Sequence, residues 1–253
     1  MSWVIKYGGN AMTNVTIRRR VAGEIRILAD QGNKPLVVHG GGPFIHAALE
    51  KSGVASKHIR GLRITSPDSL EIIESVLTLL GKDLAKDIGG AIGLTGKDAG
   101  ILLAERFDKQ LGEVGKITSV KTTVLETLIN DGFVPVLACL ALDSHGNLLN
   151  VNADEVAGAV AGALSSPIIF LTNVPGVLED PSNNNSVLPH LTQRTIKKLV
   201  QQGIIAGGMI PKVEAALHAL KKGAASAVIA DGREEGVLDD VIQGKIGTVV
   251  TLN

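Results

Sequence analysis

The sequence predicts an α/β protein: a three-layer αβα sandwich around a mainly parallel sheet, organised as two lobes. Three observations lead there. Short apolar runs alternate with stretches of helical periodicity along all 253 residues, the pattern of strands joined through covering helices. Hydrophobic residues make up 45% of the chain but aromatic ones only 2%, so the core is aliphatic, as in parallel strands buried on both faces. Glycine clusters stand where apolar runs end, most clearly in Leu36-Val37-Val38-His39-Gly40-Gly41-Gly42-Pro43. A strand that passes through glycines into a helix leaves backbone N–H groups uncovered at a helix N-terminus, a ready anion site. A tight turn that merely packs is the alternative reading of such a stretch.

Taken in order, Trp3-Val4-Ile5 is a strand ending in Lys6-Tyr7-Gly8-Gly9-Asn10. A helix over 15–30 places Val21, Ile25 and Leu28 at helical spacing, and Gly32-Asn33 stops it. Pro35 leads into the second strand and the triple glycine, after which Phe44 begins a helix. Ser66, Pro67 and Asp68 mark the start of the next helix, over 70–88. Residues 91–94 form a third strand, ending at Thr95-Gly96-Lys97-Asp98. From 101 to 120 the pattern becomes alternation with turn residues at Leu111-Gly112, a β-hairpin standing off the sheet.

A helix over 124–130 leads to a strand over 133–137, in which Pro135 implies an edge strand or a bulge. Residues 143–147 turn, 155–164 form an Ala/Gly-rich helix, and 168–171 form a strand. The polar stretch 180–186 reads as an exposed, mobile loop. Helices over 193–202 and 212–222 flank Gly207-Gly208, with Pro211 suited to the first turn of the second. A strand over 227–229, a turn at Asp231-Gly232-Arg233, a helix over 237–242 and a strand over 247–252 complete the chain. A soft boundary at Ser165-Ser166-Pro167 divides a lobe over 1–165 from one over 166–253, within one continuous sheet.

Lys+Arg and Asp+Glu are both 25, so no global field favours nucleic acid or an acidic membrane. The scarcity of aromatic residues argues against stacking on single-stranded nucleic acid. Cys139, the single cysteine, lies in an apolar run and reads as a small buried hydrophobe rather than a nucleophile; an internal disulfide is excluded. No apolar run reaches membrane-spanning length and no signal-like segment precedes Trp3, so a cytoplasmic protein is expected.

In an open α/β sheet, ligands bind beyond the carboxyl ends of the strands. Those ends present glycines, lysines and hydroxyls, a rim suited to phosphates. Neither a P-loop signature nor a Gly-x-Gly-x-x-Gly follows a strand, which disfavours a P-loop enzyme and an NAD-binding oxidoreductase. Lys6 follows directly on a buried strand, where a solvated lysine is less expected; a lysine snorkelling at the strand end is the alternative reading. Lys212 stands in the first turn of a helix, where its charge opposes the dipole unless an anion is bound. Asp154 opens a helix, and N-capping alone would account for it. The six histidines show no metal-ligand spacing, and His39 reads as a hydrogen-bonded structural residue.

Five motifs in order carry a resemblance: Lys6-Tyr7-Gly8-Gly9-Asn10, His39-Gly40-Gly41-Gly42-Pro43, Gly61-Leu62-Arg63-Ile64-Thr65, Asn150-Val151-Asn152-Ala153-Asp154 and Gly207-Gly208-Met209-Ile210-Pro211-Lys212. The chain resembles the amino-acid kinase family from residue 4 to about residue 250, and most of all its members that phosphorylate N-acetyl-L-glutamate. The resemblance implies an ATP- and Mg²⁺-dependent enzyme of arginine biosynthesis. Lys6 and Lys212 would meet the charge on the transferring phosphoryl group, with Asp154 orienting both. Gly41, Gly42, Arg63 and Asn150 would bind acetylglutamate, Arg63 gripping a carboxylate. Gly8, Gly9, Asn173, Val174, Pro175, Gly176, Val177, Leu178, Ile204, Ile205, Ala206 and Met209 would hold the nucleotide, and no residue is assigned to a metal.

The first lobe would carry substrate binding and dimerisation, the second the nucleotide. The sequence departs from the family pattern at Gly81-Lys82, where Asn-Lys is usual, and at Asn173, where Asp is usual. The alternatives are a kinase of the same family acting on carrier-bound aminoadipate or glutamate, and a non-catalytic nucleotide-binding regulator. The resemblance further implies a homodimer, and the early start of the first strand implies insensitivity to arginine.

Overall fold

A computed structural model describes residues 2–253, without the side chain of Asn10. In chain order the strands are β1 (Ser2–Tyr7), β2 (Lys34–His39), β3 (His58–Ile59), β4 (Leu62–Arg63), β5 (Ala91–Thr95), β6 (Leu102–Arg106), β7 (Val114–Val120), β8 (Val134–Ala138), β9 (Leu140–Leu142), β10 (Leu148–Val151), β11 (Ile168–Thr172), β12 (His190–Thr192), β13 (Ala227–Asp231) and β14 (Thr248–Thr251). The α-helices are α1 (Val15–Asp30), α2 (Gly42–Lys51), α3 (Pro67–Ile88), α4 (Thr123–Asn130), α5 (Ala153–Ala163), α6 (Gln193–Gln201), α7 (Ile210–Lys221) and α8 (Val237–Ile242).

Eight strands form one sheet in the order β12-β14-β13-β11-β1-β2-β8-β5. Only the β13–β14 ladder in it is antiparallel. Successive side chains of a strand point to opposite faces, and here both faces are covered. Val4, Leu36, Val38, Ile168 and Phe170 pack with α2, α4, α5, α6 and α7. Ile5, Val37, Ile169 and Leu171 pack with α1, α8 and the C-terminal half of α3. The expected αβα sandwich with a mainly parallel sheet is what the structure contains.

Local chemistry explains where several helices begin. The Asn14 side chain accepts from Ile17 N–H at 3.1 Å to cap α1. Ser66 and Ser69 cap α3 reciprocally, with Pro67 in its first turn. Pro211 lies in the first turn of α7.

Two expectations change. β8 is neither an edge strand nor bulged: it lies between β2 and β5. Val134 N–H points to the β5 side, donating to Gly90 O at 3.0 Å, so the missing N–H of Pro135 faces β2. Pairing with β2 begins only at Val136, and the proline therefore removes no ladder bond. The hairpin expected over 101–120 is present as antiparallel β6 and β7, but it belongs to a closed four-stranded barrel, β10-β7-β6-β9. β9 continues from β8 through Cys139 and β10 feeds directly into α5, so the barrel holds the start of α5 against the sheet.

The loop over 180–186 is exposed and is closed at its base by a Leu178–Val187 bridge. No helix among the described residues is long and apolar enough to cross a membrane.

Candidate active site

Lys6 shares the Val4 face of β1, which looks towards α5. α5 is capped by Asn152, whose Oδ1 accepts from the N–H groups of Asp154 (2.7 Å) and Glu155 (3.3 Å). Because Asn152 supplies the cap, the Asp154 carboxylate is released from that task. Its Oδ1 lies 2.9 Å from Lys6 Nζ. Capping alone therefore does not account for Asp154, and Lys6 is not a lysine merely reaching for solvent.

Lys212 stands in the first turn of α7, with Nζ donating to Gly208 O at 3.3 Å. Burial lowers its pKa, the Lys6 charge lowers it further, and Asp154 opposes both. Two cations and one carboxylate thus share this space, leaving positive charge for an anion to neutralise.

Lys6, Lys212 and Asp154 line a cavity of about 270 Å³ together with Gly8, Gly9, Thr172 and Asn173. A second cavity, of about 250 Å³, is lined by Gly40, Gly41, Gly42, His58, Arg63, Asn150 and Asn152. Both include Lys6, Gly8, Gly9 and Asp154. The lysine–aspartate pair and Gly8-Gly9 form the wall the two cavities have in common.

In the second cavity, Arg63 Nη1 donates to Ser56 Oγ and Nη2 to Gly42 O at 3.3 Å. Asn150 Nδ2 donates to Thr65 Oγ1 at 3.1 Å. A side chain on Gly41 would put its Cβ 2.8 Å from Leu77 Cδ2 of α3, so the buried Leu77 side chain would have to shift. A Cβ on Gly42 would meet open space.

The residues expected to hold a nucleotide divide. Gly8, Gly9 and Asn173 line the first cavity. Val174, Pro175, Gly176, Leu178, Ile204, Ala206 and Met209 lie outside its lining, and the side chains of Val177 and Ile205 are sealed in the core. Gly176 is demanded by packing, since a Cβ would fall 2.6 Å from Thr248 Oγ1. Asn152, which the sequence offered only as part of the motif over 150–154, and His58 line the second cavity without a role assigned from the sequence. Asn two residues before an Asp is an N-cap signal that could have found Asn152; the β3–β4 pairing that carries His58 opposite Arg63 left no such signal. His39 is fully buried and its pKa is lowered to about 4 by desolvation, against a 3.2 Å hydrogen bond between Nδ1 and Gly40 O. Burial thus favours its neutral form. Burial pushes the Cys139 thiol up to about 12, which removes it as a nucleophile.

The family model described as "Amino acid kinase family" matches residues 1–231. The chain belongs to the amino acid kinase family. It is 48% identical over 246 residues to an acetylglutamate kinase of Deinococcus radiodurans, an alignment covering 97% of this chain and 98% of that one. An acetylglutamate kinase of Methanocaldococcus jannaschii is 39% identical, covering 98% and 90%. Among solved structures, a Streptococcus mutans protein superposes with a TM-score of 0.83 at 32% identity, covering 100% and 99%. The carbamate kinase of Giardia lamblia bound to AMP-PNP gives 0.73 at 17% identity, covering 100% and 98%, and shows that this amino acid kinase shares its fold.

Proposed function

We propose that this amino acid kinase transfers the γ-phosphoryl group of ATP to the side-chain carboxylate of N-acetyl-L-glutamate, giving N-acetyl-L-glutamyl 5-phosphate for arginine biosynthesis. The observation that carries the reading is the Lys6–Asp154 pair standing between two cavities, one rich in glycine and lysine, the other holding Arg63. The relatives named acetylglutamate kinase support the same acceptor.

ATP phosphates enter the first cavity, against the N–H groups of Gly8 and Gly9 and beside Asn173. Acetylglutamate enters the second, over Gly41 and Gly42, with Asn150 at its side and a carboxylate on the Arg63 fork, which suits that planar anion. An ionised carboxylate is already a nucleophile, so no general base is needed. One of its oxygens bonds to the γ-phosphorus as the bond to the β-phosphate oxygen breaks, and ADP leaves. Catalysis reduces to alignment and to cancelling charge on the transferring group. Lys6, aimed by Asp154, and Lys212, from the opposite helix, supply that cancellation.

Among the described residues no group of three His, Cys, Asp or Glu side chains is disposed to hold a metal. Asp154, the only carboxylate lining the first cavity, has Oδ1 engaged by Lys6. With Asp154 as the one carboxylate of this lining, a Mg²⁺ brought by the nucleotide would rely little on protein donors, and when bound it would offset phosphate charge.

In this reading residues 1–165 bind the acceptor and dimerise, residues 166–253 bind the nucleotide, and the enzyme is a cytoplasmic homodimer. The free edge strand β5, flanked by exposed Leu79 of α3, is consistent with a second copy. Light scattering should give twice the chain mass. The deciding experiment traps acyl phosphate with hydroxylamine: hydroxamate should form from ATP and N-acetyl-L-glutamate and much less from glutamate, aspartate or aminoadipate. Equal or greater yield from any of these would overturn the acceptor.

A further inference from the structure

The turn between β13 and α8 is anchored on two sides. Asp231, at the end of β13, is only 3% exposed, and Arg233 engages both its oxygens, with Nε 2.9 Å from Oδ1 and Nη2 2.7 Å from Oδ2. The same Nη2 donates to the backbone carbonyl of Asn173 at 2.8 Å. That carbonyl belongs to the loop after β11, which brings Thr172 and Asn173 to the first cavity. Gly232 N–H adds a tie at the base of this loop, donating at 3.0 Å to the carbonyl of Thr172, the last residue of β11.

From the other side, Arg20 of α1 donates to the carbonyls of Gly232 (2.9 Å) and Glu234. Glu24, one turn on, accepts from the N–H groups of Gly236 (3.0 Å) and Leu238 (3.3 Å). α1 follows the short 3₁₀ turn Gly9–Met12, and so is continuous with the Gly8-Gly9 wall of the same cavity. Both walls of the cavity are therefore referenced to one turn.

Arg233 does not itself line either cavity, so whatever it does there it does through Asn173. A guanidinium held in two places by a carboxylate is rigid, and its further N–H then fixes the carbonyl it reaches. An ammonium on the same backbone has no such fork. We propose that Arg233 is a positioning residue for the nucleotide side of the site: braced on Asp231, it holds the Asn173 carbonyl and so sets the loop after β11 against the glycine loop after β1. This rests on the reading of the first cavity as the nucleotide-phosphate site.

The test compares wild type, Arg233→Lys and Arg233→Ala by steady-state kinetics, by calorimetric titration with ADP alone, and by thermal melting. KM for ATP and the ADP dissociation constant should rise by roughly tenfold in Arg233→Ala, the scale of one hydrogen bond from a charged donor. Arg233→Lys should fall between it and wild type. KM for acetylglutamate should not move in either. Arg233→Ala strips the buried Asp231 carboxylate of its cation; if it does not fold, Arg233→Lys, which keeps the charge, decides. A folded Arg233→Lys with wild-type ADP affinity overturns the proposal, as does a loss that falls equally on both substrates. Titration with ADP needs no acceptor, so a wrong acceptor would show as wild type making no hydroxamate while ADP affinity still reports on Arg233. Absence of ADP binding to wild type would overturn both readings.

Discussion

Lys6 is the next-to-last residue of β1, after the wholly buried Val4 and Ile5, and Asp154 lies 2.9 Å from its charge. Lys212 has a carbonyl but opposes its helix dipole. On the proposed reading, both charges meet the phosphates and the transferring phosphoryl group. Lys6→Ala and Lys212→Ala should each lower kcat by roughly 10²–10³, the scale of one lost transition-state donor. Arg63→Lys should instead raise KM for acetylglutamate, because the fork matched to a carboxylate is lost. A kcat loss with unchanged KM in Arg63→Lys would remove Arg63 as the clamp.

His39 gives a pH prediction at the same scale. Its folded pKa is about 4 against an ordinary 6.5, so between those values the unfolded chain holds a proton that the folded chain lacks. Stability from this group is complete above pH 6.5 and is lost as pH falls towards 4, with a slope of up to about 1.4 kcal/mol per pH unit. Urea unfolding of wild type and His39→Gln at pH 7 and pH 5 should show a smaller acid loss in the variant. Equal losses would show that His39 does not set that slope.

At the scale of elements, the site depends on how closely α5 and α7 approach, since one carries Asp154 and the other Lys212. Small residues allow the approach. A Cβ on Gly162 would lie 2.2 Å from Lys222 O, and one on Gly158 3.1 Å from Ala219 Cβ. Backbone cannot give way as a flexible side chain can, so Gly162→Ala must separate the helices. It should cost about 1–3 kcal/mol of stability, the range for overpacking, despite alanine's better helix propensity. Its kcat should fall although residue 162 touches no ligand. A Gly162→Ala variant with wild-type stability and kcat would show that the helix spacing is not set there.

At the scale of the molecule, β1 and β11 pair in register from Val4–Ile168 to Lys6–Phe170, joining the two parts of the chain in one sheet. That ladder carries Lys6 at its end, and the cavities open to either side of it. Thermal unfolding should therefore be a single transition by circular dichroism and by calorimetry, and ADP at 100 times its dissociation constant should stabilise the whole of it by about 2.7 kcal/mol. Two separated transitions, only one of them moved by ADP, would contradict a shared folding unit.

Much of this was legible in the sequence because it is decided within a few residues. Apolar periodicity located α1, α3 and most strands; caps and prolines located helix starts; the glycine-ended strands, with the lysines and Asp154 near them, pointed to residues that line the two cavities. What the tertiary structure alone decided depends on residues far apart in the chain. The pairing of β6, β7, β9 and β10 into a barrel, the place of Pro135 inside the sheet and the tie from Arg233 to Asn173 leave no local periodicity to read. The three-residue strands β9 and β12 were too short to show one. The same holds within the site: Asp154 has the local context of a capping residue, and only the packing of α5 on β1, with Asn152 taking the cap, turns its carboxylate towards Lys6. Local pattern reports the conformation a segment prefers, whereas the partner of a charge is chosen by how the segments pack.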